Sequence, residues 1–273
     1  QVLPRPRGRG TAKRWRGLAP QSRAMSAAIS VFLLATIFAT AVLTGVFGLA
    51  GGLVLMGVLA LILPVQAAFV THGVVQIVAN GARAILHRRH INWRAAGLYM
   101  VGALAAGLAV AAVSFAPSKP MLFLLLGLTP ALVWLPKGWL RLDAGRPLDA
   151  LACGASVTGL NLVAGVAGPL LDVFFVRTDM TRHQIVATKA ATQVFSHLAK
   201  IVVYGAPLLR LGQGGLPPLW LFVLAAPLSI AGTIVGGQIL DRLTDKHFLT
   251  WTRWIVTAIG AVYLIQAARL RFA

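Results

Sequence analysis

The residues best suited to binding a ligand lie in a stripe along one predicted helix. His72, Gln76, Asn80 and Arg83 are spaced i, i+4, i+8 and i+11, which places them on one face of an α-helix that is otherwise apolar. Polar side chains inside a membrane are unfavourable unless they face the interior of a helix bundle or water. All four side chains can donate hydrogen bonds and none is acidic, so the stripe suits an anion.

A second stripe repeats the first one 117 positions later in the chain. Its members, in matching order, are Lys189, Gln193, His197 and Lys200. We expect the two stripes to face each other across a wet pathway, because each then hides its polar groups from lipid.

Each stripe also has a purely structural interpretation. Gln and Asn can join helices through hydrogen bonds of about 0.6 to 2 kcal/mol, and long basic side chains near helix ends can reach the interface. We expect Arg83 and Lys200 to snorkel in this way, and the deeper Asn80 and His197 to bind a substrate. For His72 the two interpretations are equally open, and the same holds for its counterpart Lys189.

Two glycine-rich stretches interrupt long apolar runs at corresponding places. The runs 26–63 and 148–176 are too long for one straight helix, and their glycines cluster within 44–52 and 158–169. A single cluster favours close helix packing, but paired interruptions are typical of a transporter's binding site. We therefore expect broken or re-entrant helices whose free N–H groups bind an oxyanion. The glycines assigned to this role are Gly51, Gly52, Gly165 and Gly168.

Acidic and metal-binding residues are scarce. Asp172, in the apolar stretch PLLDVFF, is the one acid that is a candidate for membrane depth. We expect it to be an interface residue beside Arg177, with proton coupling as the alternative. Divalent cations require carboxylates, and neither CxxC nor Cys/His metal spacing occurs, so no metal and no cofactor are expected. The lone Cys153 has no partner for an internal disulfide. Candidates for charge compensation or gating are His72, Arg83, Asp172, Lys189 and Lys200.

The composition places these stripes in a membrane. Hydrophobic residues make up 58% of the chain and charged residues 11%, against roughly a quarter charged in soluble domains. The 25 Lys and Arg face only 6 acids and fall mainly between apolar runs, as expected for loops beside an anionic leaflet. Because they are scattered rather than gathered on a folded surface, we expect no nucleic-acid partner.

Eight hydrophobic segments follow from a spanning length of about 20 residues. They cover roughly 26–63, 65–86, 93–116, 121–135, 148–176, 183–209, 216–240 and 248–268. The sequence thus predicts an all-α integral membrane protein of two four-segment repeats, each with its first segment broken at glycines. The predicted divisions are a basic tail at 1–24, a first repeat at 25–136, a linker at 137–147 and a second repeat at 148–273.

The basic residues also indicate an orientation. Seven Lys or Arg precede the first span, and Arg88 to Arg94 form the next strongly basic turn. The positive-inside rule places both on the cytoplasmic side of the cell inner membrane. The charge pattern shifts in the second half, which favours an inverted repeat, although four simple spans per half would give both halves the same orientation. The basic tail, which does not begin with Met, fits an extension, a tag or a transit peptide.

Enzymatic motifs are missing from the sequence. We find no GxSxG, Walker or HExxH motif and no spaced pair of carboxylates on one helix face. The chain is therefore not expected to be an enzyme, and transport driven by ATP within this chain is not expected either.

Two stretches of the sequence resemble a known family. The glycine break, Pro64 and a second helix ending in HRRHINW (87–93) resemble the first repeat of the sulfite exporter TauE/SafE family. TGLNLVAGVAG and TRHQIVATKAATQVFSHLAKIVVYG resemble its second repeat, and the likeness extends from about Met25 to the C-terminal end. The resemblance implies a multipass carrier that exports sulfite, sulfoacetate or related small organosulfonates.

The working hypothesis is therefore an anion carrier that operates by alternating access of its two repeats. Its partners would be the small anion and the lipid bilayer, and a homo-oligomer is compatible with the sequence. The alternatives are a membrane scaffold or partner subunit without transport, and a permease for another small anion. The residues assigned to substrate binding are Gly51, Gly52, Gln76, Asn80, Gly165, Gly168, Gln193 and His197.

Overall fold

The computed structural model describes residues 25–47, 50–136, 142–210, 215–240, 242 and 245–272. Within these ranges the chain is helical and contains no strand. Ten α-helices follow one another: α1 Ala27–Phe47, α2 Ala50–Ile62, α3 Val65–Leu86, α4 Trp93–Ala112, α5 Lys119–Leu128, α6 Pro147–Ala164, α7 Gly168–Phe175, α8 Arg182–Arg210, α9 Leu219–Leu240 and α10 Asp245–Phe272. Short 3-10 helices occupy Arg88–His90 and Thr129–Trp134. The predicted basic tail 1–24 and residues 137–141 of the predicted linker 137–147 lie outside the described residues.

Six of the described helices are long and apolar enough to cross a membrane: α1, α3, α4, α6, α9 and the part of α10 from Trp251 to Phe272. The expected all-α membrane protein is confirmed. Two further apolar stretches, α2 and Lys119–Trp134, are shorter than a span. α8 has 29 residues but carries the second polar stripe and is not among the six. The count of eight segments therefore stays a prediction.

Local signals in the sequence set several helix ends. Asn92 caps α4 by accepting a hydrogen bond from the Ala95 N–H, and Ser118 caps α5 in the same way from Met121. Pro64 precedes α3, where its missing N–H costs no helical hydrogen bond. Gly165 caps the C-terminal end of α6, and its φ of 81° lies in the left-handed region that favours glycine.

The principal helix contacts join the two predicted halves. α1 packs along α9, α4 along α6, α3 along α8 and α5 along α10. Glycine permits the closest approaches, since a Cβ on Gly45 of α1 would lie 2.7 Å from Gly236 Cα of α9. Gly45, which belongs to the first glycine-rich stretch, thus serves helix packing. The halves are interlocked and do not form two separate bundles.

α3 and α8 run antiparallel at the centre of this arrangement. Near the start of α3, the Phe69 ring centroid lies 4.4 Å from that of Tyr204, which is near the end of α8. Beyond the end of α3, the His90 ring centroid lies 5.3 Å from that of His183 at the start of α8. The two polar stripes belong to this pair of helices.

The glycine-rich stretches coincide with helix ends. In the second stretch, α6 ends at Ala164 and the short α7 begins at Gly168. In the first stretch, α1 ends at Phe47 and α2 begins at Ala50, with residues 48–49 outside the described part. That each pair of helices forms one interrupted membrane segment remains a prediction.

Candidate anion-binding site

His72 lies at the contact between α3, α8 and the start of α2. Its side chain is buried. Its Nε2 lies 3.0 Å from the Gly52 carbonyl oxygen, and its Nδ1 lies 3.2 Å from Lys200 Nζ. With Nε2 protonated, Nε2 donates to Gly52 and Nδ1 accepts from the lysine, so both ring nitrogens are used. His72 thereby joins the first glycine-rich stretch to the second stripe.

Lys200 is completely buried in the middle of the protein, with 0% exposure. Its Nζ donates to the Gly165 carbonyl oxygen at 2.6 Å and approaches the Phe69 ring centroid to 5.3 Å. The expectation that Lys200 snorkels to the interface is wrong. α8 continues to Arg210, so Lys200 is not near a helix end and its side chain turns inward.

The surroundings of Lys200 are polar but uncharged. Its hydrogen-bond acceptors are a backbone carbonyl and a histidine nitrogen. The ion pairs Arg146–Asp143 and Lys189–Asp172 do not involve Lys200. A buried ammonium group without a carboxylate partner is unfavourable by itself and strongly attracts an anion.

His197 completes the centre of the site from the second stripe. Its ring centroid lies 5.5 Å from that of His72, in an edge-on arrangement, and the side chain is buried. The side-chain nitrogen of Asn161, in the last turn of α6, lies 3.5 Å from His197 Nδ1. Asn161 is 1% exposed and its Oδ1 has no hydrogen-bond partner. Sequence reasoning missed Asn161, although it stands four residues before Gly165.

Gln76 and Asn80 extend the site along α3. Asn80 Nδ2 donates to the Gln76 backbone oxygen at 3.0 Å and to its Oε1 at 3.3 Å. Both side chains are buried, and Gln76 Nε2 lies beside Gly52, where an added Cβ would be 3.1 Å away. The structure therefore brings these two residues together with His72, as the spacing on one helix face predicts.

Gln193 and Arg83 are less closely tied to this centre. Gln193 is half-buried on α8. Arg83 is half-buried in the last turn of α3, so its position is compatible with the predicted snorkelling.

The glycines contribute mainly through their carbonyl groups. Gly52 and Gly165 offer their oxygens to His72 and Lys200, which fixes those side chains. The Gly165 N–H donates to the Asn161 carbonyl oxygen at 3.1 Å. An anion could therefore accept a hydrogen bond from this N–H only if the last turn of α6 opened. Gly51, Gly52 and Gly168 instead lie in the first turns of α2 and α7, where N–H groups lack intrahelical acceptors.

Asp172 and Lys189 form an ion pair between α7 and α8. We expected Asp172 to be an interface residue beside Arg177, and the structure shows that it pairs with Lys189, a member of the second stripe. Both side chains are half-exposed, 40% for Asp172 and 31% for Lys189. Lys189 thus differs from Lys200, because its charge is compensated and partly solvated.

A cluster of hydroxyl groups supports the site from behind α8. Ser196 Oγ lies 2.5 Å from the Tyr99 hydroxyl of α4 and 2.7 Å from Thr158 Oγ1 of α6. All three side chains are buried. Sequence reasoning missed this cluster, which fixes the residue next to His197 against two other helices.

Apolar helices of membrane length surround a buried, basic centre whose charge is largely uncompensated. These features define the class of protein: a multi-pass membrane protein suited to an anion. The chain belongs to the sulfite exporter TauE/SafE family, whose family model matches residues 33–264. The match confirms the resemblance seen in the sequence and places the protein in a family of membrane anion transporters. Comparisons with curated proteins and with solved structures found no match.

Proposed function

We propose that this protein is a secondary transporter that exports sulfite or small organosulfonates across the cell inner membrane. The observation that supports this most is Lys200, a lysine with 0% exposure whose hydrogen-bond acceptors are all neutral. A small oxyanion supplies the missing negative charge, and its several oxygens accept the hydrogen bonds that surround it.

The donors near Lys200 come from several helices. His72 and His197 are positioned on either side of the α3–α8 contact, and Asn161 approaches from α6. Gln76 and Asn80 add amide donors from α3, while the first turns of α2 and α7 offer N–H groups at positive helix ends. An oxyanion bound here exchanges its hydration shell for fixed donors.

The mechanism we propose is alternating access with inverted repeats. By order along the chain, α1 corresponds to α6, α3 to α8, α4 to α9 and α5 to α10. Exchanging the two halves leaves the pattern of principal helix pairs unchanged, and the antiparallel course of α3 and α8 is the course inverted repeats require. Inverted repeats require that one segment does not simply cross the membrane, and we assign this role to the short α5.

The moving units we propose are cross-packed helix pairs, not the sequence halves 25–136 and 148–273. α1 packs with α9 and α4 packs with α6, so sliding one half past the other would break the principal contacts. Movement of the α1–α9 pair relative to the α4–α6 pair preserves them. α3 and α8, which carry the site, then lie between the moving pairs.

The orientation we propose has the N-terminal end in the cytoplasm. His90 and His183 are neighbours, so the basic turn after α3 and the start of α8 share one face of the protein. Arg88, Arg89 and Arg182 belong to that face, and the positive-inside rule assigns it to the cytoplasm.

Flux measurements on purified protein in liposomes test the proposal. We expect efflux of sulfite or sulfoacetate that depends on the protein, and loss of most of this flux in His197→Ala and Asn80→Ala proteins. A scaffold or partner subunit would give no anion-dependent flux. Unchanged transport in both variants would show that the site lies elsewhere.

A further inference from the structure

A small cavity with a mainly apolar lining and four polar side chains lies between α1, α2, α3 and α9, beside the proposed anion site. Its volume, taken as the space open to the centre of a water molecule, is about 10 Å³. This is enough for one water molecule or one small ion. Its polar lining consists of Thr40, Thr44, Gln76 and Ser229, and the remaining lining residues are apolar. None of the lining residues carries a charge.

Ser229 indicates that the cavity binds something. The residue is 1% exposed, and its Oγ has no hydrogen-bond partner. A buried hydroxyl without a partner is unfavourable, so it requires an explanation such as a ligand.

The other hydroxyl groups present lone pairs to the cavity. Thr40 Oγ1 donates to the Thr36 carbonyl oxygen at 2.7 Å, and Thr44 Oγ1 donates to the Thr40 carbonyl oxygen at 2.9 Å. Since each hydroxyl has one proton and both protons are directed to the helix backbone, only acceptor sites remain for a ligand. A set of oxygen acceptors is suited to a cation.

The chemistry of the lining selects a monovalent cation. Calcium and magnesium sites require carboxylates, whereas no group of three or more His, Cys, Asp or Glu side chains suited to a metal occurs in the described part of the chain. Hydroxyl and amide oxygens with no formal charge suit an ion of sodium size. α1 ends at Phe47, one turn after Thr44, so the negative end of its dipole is also close.

We propose that this cavity is a sodium site and that bound sodium raises the affinity of the neighbouring site for the transported anion. The effect on anion affinity rests on the proposed function. Gln76 connects the two sites, because it lines the cavity and also bonds to Asn80 of the anion site. A bound cation and a bound anion on either side of this amide attract each other, so each raises the affinity for the other.

Thermal unfolding of the detergent-purified protein tests the cation site directly. We expect sodium gluconate to raise the unfolding temperature of the parent protein, in the absence of sulfite, more than choline gluconate does. Ser229→Ala and Thr40→Val should require roughly tenfold more sodium or more for the same effect.

Thr36→Val is the matched control for Thr40→Val. Thr36 lies one turn earlier on α1, makes the same kind of bond to the Phe32 carbonyl oxygen, and does not line the cavity. We expect its sodium response to equal that of the parent. If Thr40→Val does not fold, Ser229→Ala still tests the site. An empty cavity predicts that Ser229→Ala is at least as stable as the parent protein in both sodium gluconate and choline gluconate.

Sulfite flux separates this proposal from the one it rests on. An equal response to sodium and choline in the parent protein, with sulfite flux intact, overturns the sodium site and leaves the anion carrier in place. A sodium-specific response with no sulfite flux overturns the carrier and the effect on anion affinity but not the site. Sulfite flux that reaches half its maximum at a lower sulfite concentration in sodium than in choline is the result we expect.

Discussion

The second stripe contains two lysines, Lys189 and Lys200, whose surroundings differ. Lys200 is fully buried between α3 and the end of α6, with neutral acceptors. Lys189 is half-exposed and paired with Asp172 of α7. Lys189 therefore has a carboxylate partner, whereas the hydrogen-bond acceptors of Lys200 are neutral. From this difference we expect anion binding to concentrate near Lys200.

Replacing Lys200 should produce the largest effect. In Lys200→Met, loss of the buried charge should weaken anion binding by about 2–5 kcal/mol, or thirtyfold and more. The same change should raise the unfolding temperature in the absence of anion, because an apolar side chain replaces an uncompensated ammonium group. Sulfite flux in liposomes and thermal unfolding measure the two effects.

Lys119→Met is the control for this change. Lys119 reaches the Leu61 carbonyl oxygen from an exposed position far along the chain from both stripes. Its replacement should leave flux unchanged. Full flux in Lys200→Met would remove the basis for distinguishing the two lysines.

Asn161 should give an intermediate effect and locates the anion more closely. Asn161→Ala removes an unpartnered acceptor and the contact to His197 Nδ1. We expect a 5- to 30-fold increase in the sulfite concentration for half-maximal flux, equivalent to about 1–2 kcal/mol. Ser156→Ala on the exposed face of the same helix should have no effect. An unaffected Asn161→Ala protein would place the anion away from the end of α6.

The smallest effect is expected at the compensated lysine. Because the Asp172–Lys189 pair is half-exposed, Asp172→Asn should destabilise the protein by about 1 kcal/mol or less and preserve most of the flux. Comparing Asp172→Asn, Lys189→Gln and the double variant in a thermal double-mutant cycle gives the coupling energy. Loss of flux as complete as in Lys200→Met would make Asp172 part of the transport chemistry and break the contrast between the two lysines.

Much of the central helix pair could be predicted from the sequence, because helical spacing alone places His72, Gln76 and Asn80 on one face. Repetition of the stripe then indicated its facing partner. The burial of the Lys200 side chain could not be predicted in the same way. Whether a lysine snorkels depends on its distance from the interface, and α8 extends ten residues beyond it.

The hydroxyl cluster and Asn161 escaped prediction for a different reason. Tyr99, Thr158 and Ser196 come from three helices, and nothing in the sequence of any one helix indicates that their side chains meet. Asn161 has no polar neighbour at helical spacing toward the glycine break. Such contacts depend on how helices pack across the two halves, which only the tertiary structure provides.

The interlocked helix pairs have a consequence for how the protein is made. A chain leaving the ribosome inserts α1 before α9 has been synthesised, and α4 before α6, so these early helices remain without their main packing partners in the membrane. Small-residue surfaces such as the one around Gly45 then face lipid until translation is nearly complete. We therefore expect stable folding only after the second half has inserted. The two halves expressed as separate fragments should be degraded singly but should reassemble when they are synthesised together.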